Sequence, residues 1–77
     1  MTISAAQLRA ARELLGCSQD DVAGASGLEI TTIANFELGK RSPDREALGE
    51  IRITLEAAGI EFVESVGSTG VKLRQTK

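Results

Sequence analysis

The 77-residue sequence has no histidine, no tryptophan and no tyrosine, and only one cysteine and one proline. With Cys17 alone, no intramolecular disulfide can form, which suits a reducing compartment. Without histidine, neither Cys17 nor any serine has the base that nucleophilic catalysis needs, so no catalytic residue and no enzyme is expected. Asp20 and Asp21 adjoin, but no third carboxylate stands at useful spacing, so no metal is expected, and no sequence feature calls for a cofactor. No run of about 18 apolar residues is present, so no membrane role is predicted. The amphipathic N-terminus carries charge inside its periodic pattern, unlike a secretory signal. There is also no excess of positive charge. Nine basic residues face eleven acidic ones, for a net charge of -2, whereas domains that bind nucleic acid are more often basic.

What is present is ordinary for one small globular domain: 42% of residues are hydrophobic. Ser4 and Gln7 form S-x-x-Q, a helix-start signature, and Leu8, Ala11, Leu14 and Leu15 follow at helical spacing until Gly16. Ser18 and Asp21 open a second helix, with Val22 and Ala23 as its small apolar face and Gly27 as its stop. A third helix is predicted from about Glu29 to Leu38, closed by Gly39. Its β-branched run Ile30–Ile33 has low helix propensity, so packing must hold it. Asp44 caps a fourth helix, with Ala47, Leu48, Ile51, Leu55 and Ala58 as its stripe and Gly59 as its end. Beyond Gly59 the period changes. Ile60, Phe62 and Val66 alternate imperfectly with Glu61, Val63 and Glu64, and Val71 and Leu73 alternate with Lys72 and Arg74, which predicts two strands around a turn at "GSTG".

The second and third helices, joined at Gly27, have the proportions of a helix-turn-helix. On a helical wheel Ile33, Phe36 and Glu37 share one side of the third helix, and Thr31, Ala34 and Asn35 share the other, with Ile30 and Thr32 at the edges. The apolar side must face the core. The outward side is then small, polar and uncharged, and it fits a major groove: asparagine can bond an adenine edge twice, and Thr or Ile methyls can touch the thymine methyl. Donors for the DNA backbone lie elsewhere, at Gln19 in the first turn of the second helix and at Lys40 and Arg41 after the third. The basic tail residues Lys72, Arg74 and Lys77 are either a solubilising end or a contact for DNA or a partner.

The text "LRAARELLGCSQDDVAGASGLEITTIANFELGKRSP" resembles the Cro and phage-repressor type of helix-turn-helix, the xenobiotic-response-element family. The resemblance runs from about Gln7 to Leu55. It implies a mainly α fold: a four-helix, lambda-repressor-like helix-turn-helix domain with, in this chain, a C-terminal β-hairpin or strand arm in place of the usual fifth helix. It implies base contacts from Ile30, Thr31 and Asn35, and backbone contacts from Gln19, Leu38, Lys40 and Arg41. It also implies a structural salt bridge between Arg12 and Glu37. Glu29 departs from the family, since it stands where Ser or Thr usually caps the third helix, and Phe36 is larger than the common aliphatic residue.

The expectation is therefore a helix-turn-helix unit over 1–58 and a strand extension over 59–77 in the same compact domain. Its function would be sequence-specific binding of double-stranded DNA by a transcriptional regulator, a repressor or autoregulator, in a prokaryotic or phage-infected cytoplasm. A homodimer on an inverted repeat is expected because one such domain offers few base contacts. Ile60, Phe62, Val71 and Leu73 are the expected dimer surface, because an isolated hairpin is marginal unless it packs or pairs. The alternative is an antitoxin or similar interaction module, with the helices on its operator and the strands on a protein partner such as a toxin.

Overall fold

The computed structural model describes residues 3–65 and 68–73. Helices α1 (Ala5–Leu15), α2 (Gln19–Ser26), α3 (Ile30–Glu37) and α4 (Arg45–Ala57) precede strands β1 (Ile60–Ser65) and β2 (Ser68–Leu73). The two strands pair antiparallel. The fold is thus mainly α, a four-helix helix-turn-helix domain with a C-terminal hairpin.

Local chemistry sets most of the boundaries. At α1 the Ser4 hydroxyl accepts from the Gln7 backbone N–H at 3.1 Å, and the Gln7 side chain accepts from the Ser4 N–H at 2.9 Å. Ser18 and Asp21 repeat this reciprocal bonding at α2, at 3.1 and 2.9 Å. Asp44 caps α4 through the Ala47 N–H at 2.8 Å. Each bond satisfies a backbone donor that a helix start leaves open. Gly27 ends α2 in the left-handed conformation, φ +75°, where a side chain would be strained, and so turns the chain directly into α3.

The core gathers two buried hydrophobic residues from every helix: Leu8 and Ala11 of α1, Val22 and Ala23 of α2, Ile33 and Phe36 of α3, and Ile51 and Leu55 of α4. Ile3 and Ile60 close it from the two ends of the chain. Ala11 and Ala23 let neighbouring helices approach closely, while Leu8, Ile33, Ile51, Leu55 and Ile60 are fully buried. Two members of the expected stripes fall outside. Leu14 is 46% exposed, because the face defined by Leu8, Ala11 and Leu15 points about 100° away from it. Ala58 is exposed because the chain leaves the helix there, and it forms the C-cap of α4.

The hairpin packs on α1 and α4. Its register pairs Ile60 with Leu73 and Phe62 with Val71, which puts these four residues on one face. Phe62 and Val71 pack against the core, and Gln7 of α1 donates from Nε2 to the Gly70 carbonyl at 3.2 Å. The Arg52 guanidinium of α4 lies 4.9 Å from the Phe62 ring centroid. Two expectations change here. Ser68, Thr69 and Gly70 are paired strand residues, opposite Ser65, Glu64 and Val63, so the "GSTG" segment is not the turn. Residues 66–67, which include Val66, and residues 74–77, which include Arg74 and Lys77, are outside the described residues. Ile60 is not a dimer surface: with 0% exposure it is part of the monomer's own core.

Candidate nucleic-acid interface

The two faces of α3 differ sharply. Ile33, Phe36 and Glu37 are buried, whereas Thr31 is exposed and Ile30 is 41% exposed. Thr32, Ala34 and Asn35 are half-buried. The chain after α3 then folds back on it. The Lys40 and Arg41 N–H groups donate to the Asn35 carbonyl at 2.9 and 3.4 Å, which holds both basic residues near the C-terminal turn of α3. Between α3 and this returning segment lies a cleft of about 430 Å³, with Thr31, Thr32 and Asn35 on one wall and Arg41, Ser42 and Asp44 on the other. An uncharged hydrogen-bonding surface therefore shares one concave space with a cation, Arg41, and with the carboxylate of Asp44 that caps α4. Ile30, Leu38 and Lys40 lie outside that lining, and Leu38 is 69% exposed at the end of α3.

This helix pair, with a glycine turn and a polar outward face on its second helix, is matched by the helix-turn-helix family over residues 8–56. The chain belongs to that family. Its type is that of Cro and the phage repressors, and it is a DNA-binding helix-turn-helix regulator. No curated protein matches the chain. The family match covers the four helices almost completely and ends before the hairpin.

In this helix-turn-helix protein the second helix of the pair, α3, is fastened by a buried carboxylate. Glu37 accepts two bonds from Arg12 of α1, from Nε at 2.6 Å and from Nη2 at 2.7 Å. It accepts a third from Gln19 of α2, from Nε2 at 3.1 Å. Arg9 donates to the Glu37 backbone carbonyl at 2.7 Å, and Arg12 reaches the Cys17 carbonyl at 3.3 Å. A buried charge is costly unless it is paired and hydrogen-bonded, and here three helices share the task. Burial alone pushes the Glu37 carboxyl up. The bonds from Arg12 and Gln19, with the charges of Arg12 and Arg9, outweigh it and hold Glu37 below the usual carboxylate range. The bond to Glu37 correspondingly raises Arg12.

Gln19 is therefore tied into the α1–α3 junction. Its amide nitrogen has two hydrogens, so the bond to Glu37 leaves the second for another acceptor. Arg9 was missed by the sequence reading. Its signal was present, since it precedes Arg12 by three residues on the same helix face, but a contact to a backbone carbonyl has no side-chain partner to search for. Ser42 and Thr32 were missed as cleft residues because the fold-back of the loop depends on the Asn35 carbonyl. Cys17 is half-buried against the core, and burial, then the charge of Asp21, pushes its thiol up, away from the reactive thiolate.

Proposed function

We propose that the protein is a sequence-specific transcriptional regulator, a repressor or autoregulator, that binds an inverted-repeat operator as a homodimer. The observation that carries the reading is the cleft beside α3, where Thr31 and Asn35 face Arg41 across one open space. In this reading Ile30, Thr31 and Asn35 meet base edges in the major groove, with Asn35 bonding an adenine and the methyl-bearing residues contacting thymine. Gln19, Leu38, Lys40 and Arg41 meet the sugar-phosphate backbone and fix the helix in register. The net charge of -2 does not oppose this, because contact depends on the local field, and α3 itself carries no acid on its outward face.

One uncharged reading helix offers few contacts, and two copies on half-sites about 34 Å apart supply the rest. The hairpin is the proposed dimer element. Its contribution comes from Leu73, 45% exposed, with the outer parts of Phe62 and Val71, which share its face. The same exposed residues support the second reading, in which the hairpin takes a protein partner such as a toxin. Selection of bound sequences from random duplexes tests the main reading: a symmetric pair of half-sites is expected, and recovery of no common sequence would refute it. Sedimentation of Leu73→Glu decides the hairpin's part. Monomers are expected, and an unchanged dimer would move the interface to the helices.

A further inference from the structure

One charged side chain beside the recognition face, that of Glu29, is held by no bond from the described residues. Glu29 occupies the N-cap of α3 with extended backbone, φ -82° and ψ 148°, yet its side chain makes no capping bond. It is exposed, and among the described residues no side-chain hydrogen bond or ion pair engages it. The other three helices are all capped by Ser4, Ser18 and Asp44. A shorter Ser, Thr or Asp at position 29 would cap α3 in the same way. Glutamate forgoes that bond and leaves a free carboxylate next to Ile30 and Thr31. No cation stands beside it in sequence: Lys40 and Arg41 follow the other end of the eight-residue helix, about 12 Å away along its axis.

We infer that Glu29 is a specificity-determining residue of the DNA-reading surface, accepting a hydrogen bond from an exocyclic amino group, that of cytosine, at the base pair met by the N-terminal end of α3. The inference rests on α3 being the recognition helix, whose N-terminal residues are the ones that meet base edges. An ionised carboxylate is acceptor-only. In the major groove guanine presents acceptors and thymine an acceptor beside a methyl, while cytosine N4 and adenine N6 donate. Adenine places an acceptor, N7, next to its donor, so cytosine suits a carboxylate better. Flanking phosphates also repel Glu29. Without a donor edge the carboxylate is a net cost, so discrimination comes largely from rejecting the wrong pairs.

The test uses the full chain and the variants Glu29→Ala and Glu29→Gln. Bound sequences are selected from random duplexes, and affinities are then measured for all four base pairs at each selected position. The wild-type protein is expected to prefer cytosine by about tenfold at one position adjoining those read by Ile30 and Thr31. Glu29→Ala is expected to lose that preference at that position only, while binding random duplex more tightly. Glu29→Gln, which can donate as well as accept, is expected to shift the preference toward adenine. An alanine variant with the wild-type preference at every position would overturn the inference, even if its general affinity rises, because repulsion alone would explain that rise. A wild-type protein that selects no sequence would instead overturn the underlying reading of α3. Since Glu29 makes no capping bond and only its charge at the helix N-terminus is lost, both variants are expected to melt within a few degrees of the wild type, which separates a lost preference from a lost fold.

Discussion

Helices α2 and α3 have the same length of eight residues and adjoin at Gly27, yet they are built in opposite ways. α2 is closed at both ends, by the Ser18–Asp21 capping box and by left-handed Gly27, and its buried residues are small. α3 has no side-chain cap and starts with a β-branched run; only its end is like that of α2, in the left-handed Gly39, φ +76°, that follows Leu38. What α3 lacks locally it gains from tertiary contacts: Ile33 and Phe36 in the core, and Glu37 bonded to α1 and α2. A scaffold helix can use its side chains to stabilise itself. A helix that presents one face to a ligand gives up that freedom, and its neighbours must hold it.

The sharpest way to break this comparison is Arg12→Ala. It leaves the Glu37 carboxylate, 5% exposed, without its bidentate partner. Breaking a buried pair from one side is expected to cost about 3 kcal/mol of unfolding free energy in urea titration. The pH dependence should change as well. Glu37 has a lowered folded-state pKa, so its contribution is fully present above the ordinary carboxylate range and is lost as pH falls through the lowered value. In Arg12→Ala the largest cause of that lowering is removed, so stability should depend less on pH in the acid range, and the gap between variant and wild type should narrow as pH falls.

Asn35→Ala acts on the other face of the same helix. It is expected to reduce discrimination between selected and random duplexes by about 1–3 kcal/mol with little change in the urea midpoint. Equal losses on both duplexes would remove Asn35 from base reading. For α2 the corresponding change is Ser18→Ala, expected to cost about 1 kcal/mol of stability through the lost cap, while the base preference of α3 stays as it was. The smallest effect belongs to Lys40→Ala, beyond the end of α3. Affinity should fall alike for all sequences, and the slope of log affinity against log salt should be shallower by about one. An unchanged slope would take Lys40 out of the phosphate contacts.

Much of the helical part was legible from the residues themselves. Ser4, Ser18 and Asp44 act on backbone donors within a few positions, so their effect does not wait for the rest of the fold. The division of α3 into a buried and an open face follows from its period, and Ile33, Phe36 and Glu37 lie where the wheel placed them. Legibility failed where a contact joins distant segments. Ile60 looked like a surface strand residue because alternation cannot say whether a strand's apolar face meets its own domain or a second chain; packing on α1 and α4 decided it. The "GSTG" segment looked like a turn because glycine and serine favour turns, yet cross-strand pairing, carried to Ser65 and Ser68, absorbed three of its residues.

The sequence by itself determined where the helices start and stop, which side of each is apolar, and that no charged residue lies on the outward side of α3. These are properties of neighbouring residues, settled over a few ångströms. Only the tertiary structure decided that Arg9 and Gln19 join Arg12 at Glu37 on the end of α3, that Arg41 shares a cleft with Thr31 and Asn35, and that the hairpin closes the core through Ile60. Each of these joins residues from different elements, and burial rather than local preference fixes which of them meet, because an apolar face or a buried charge takes its partner from whatever the rest of the chain brings near.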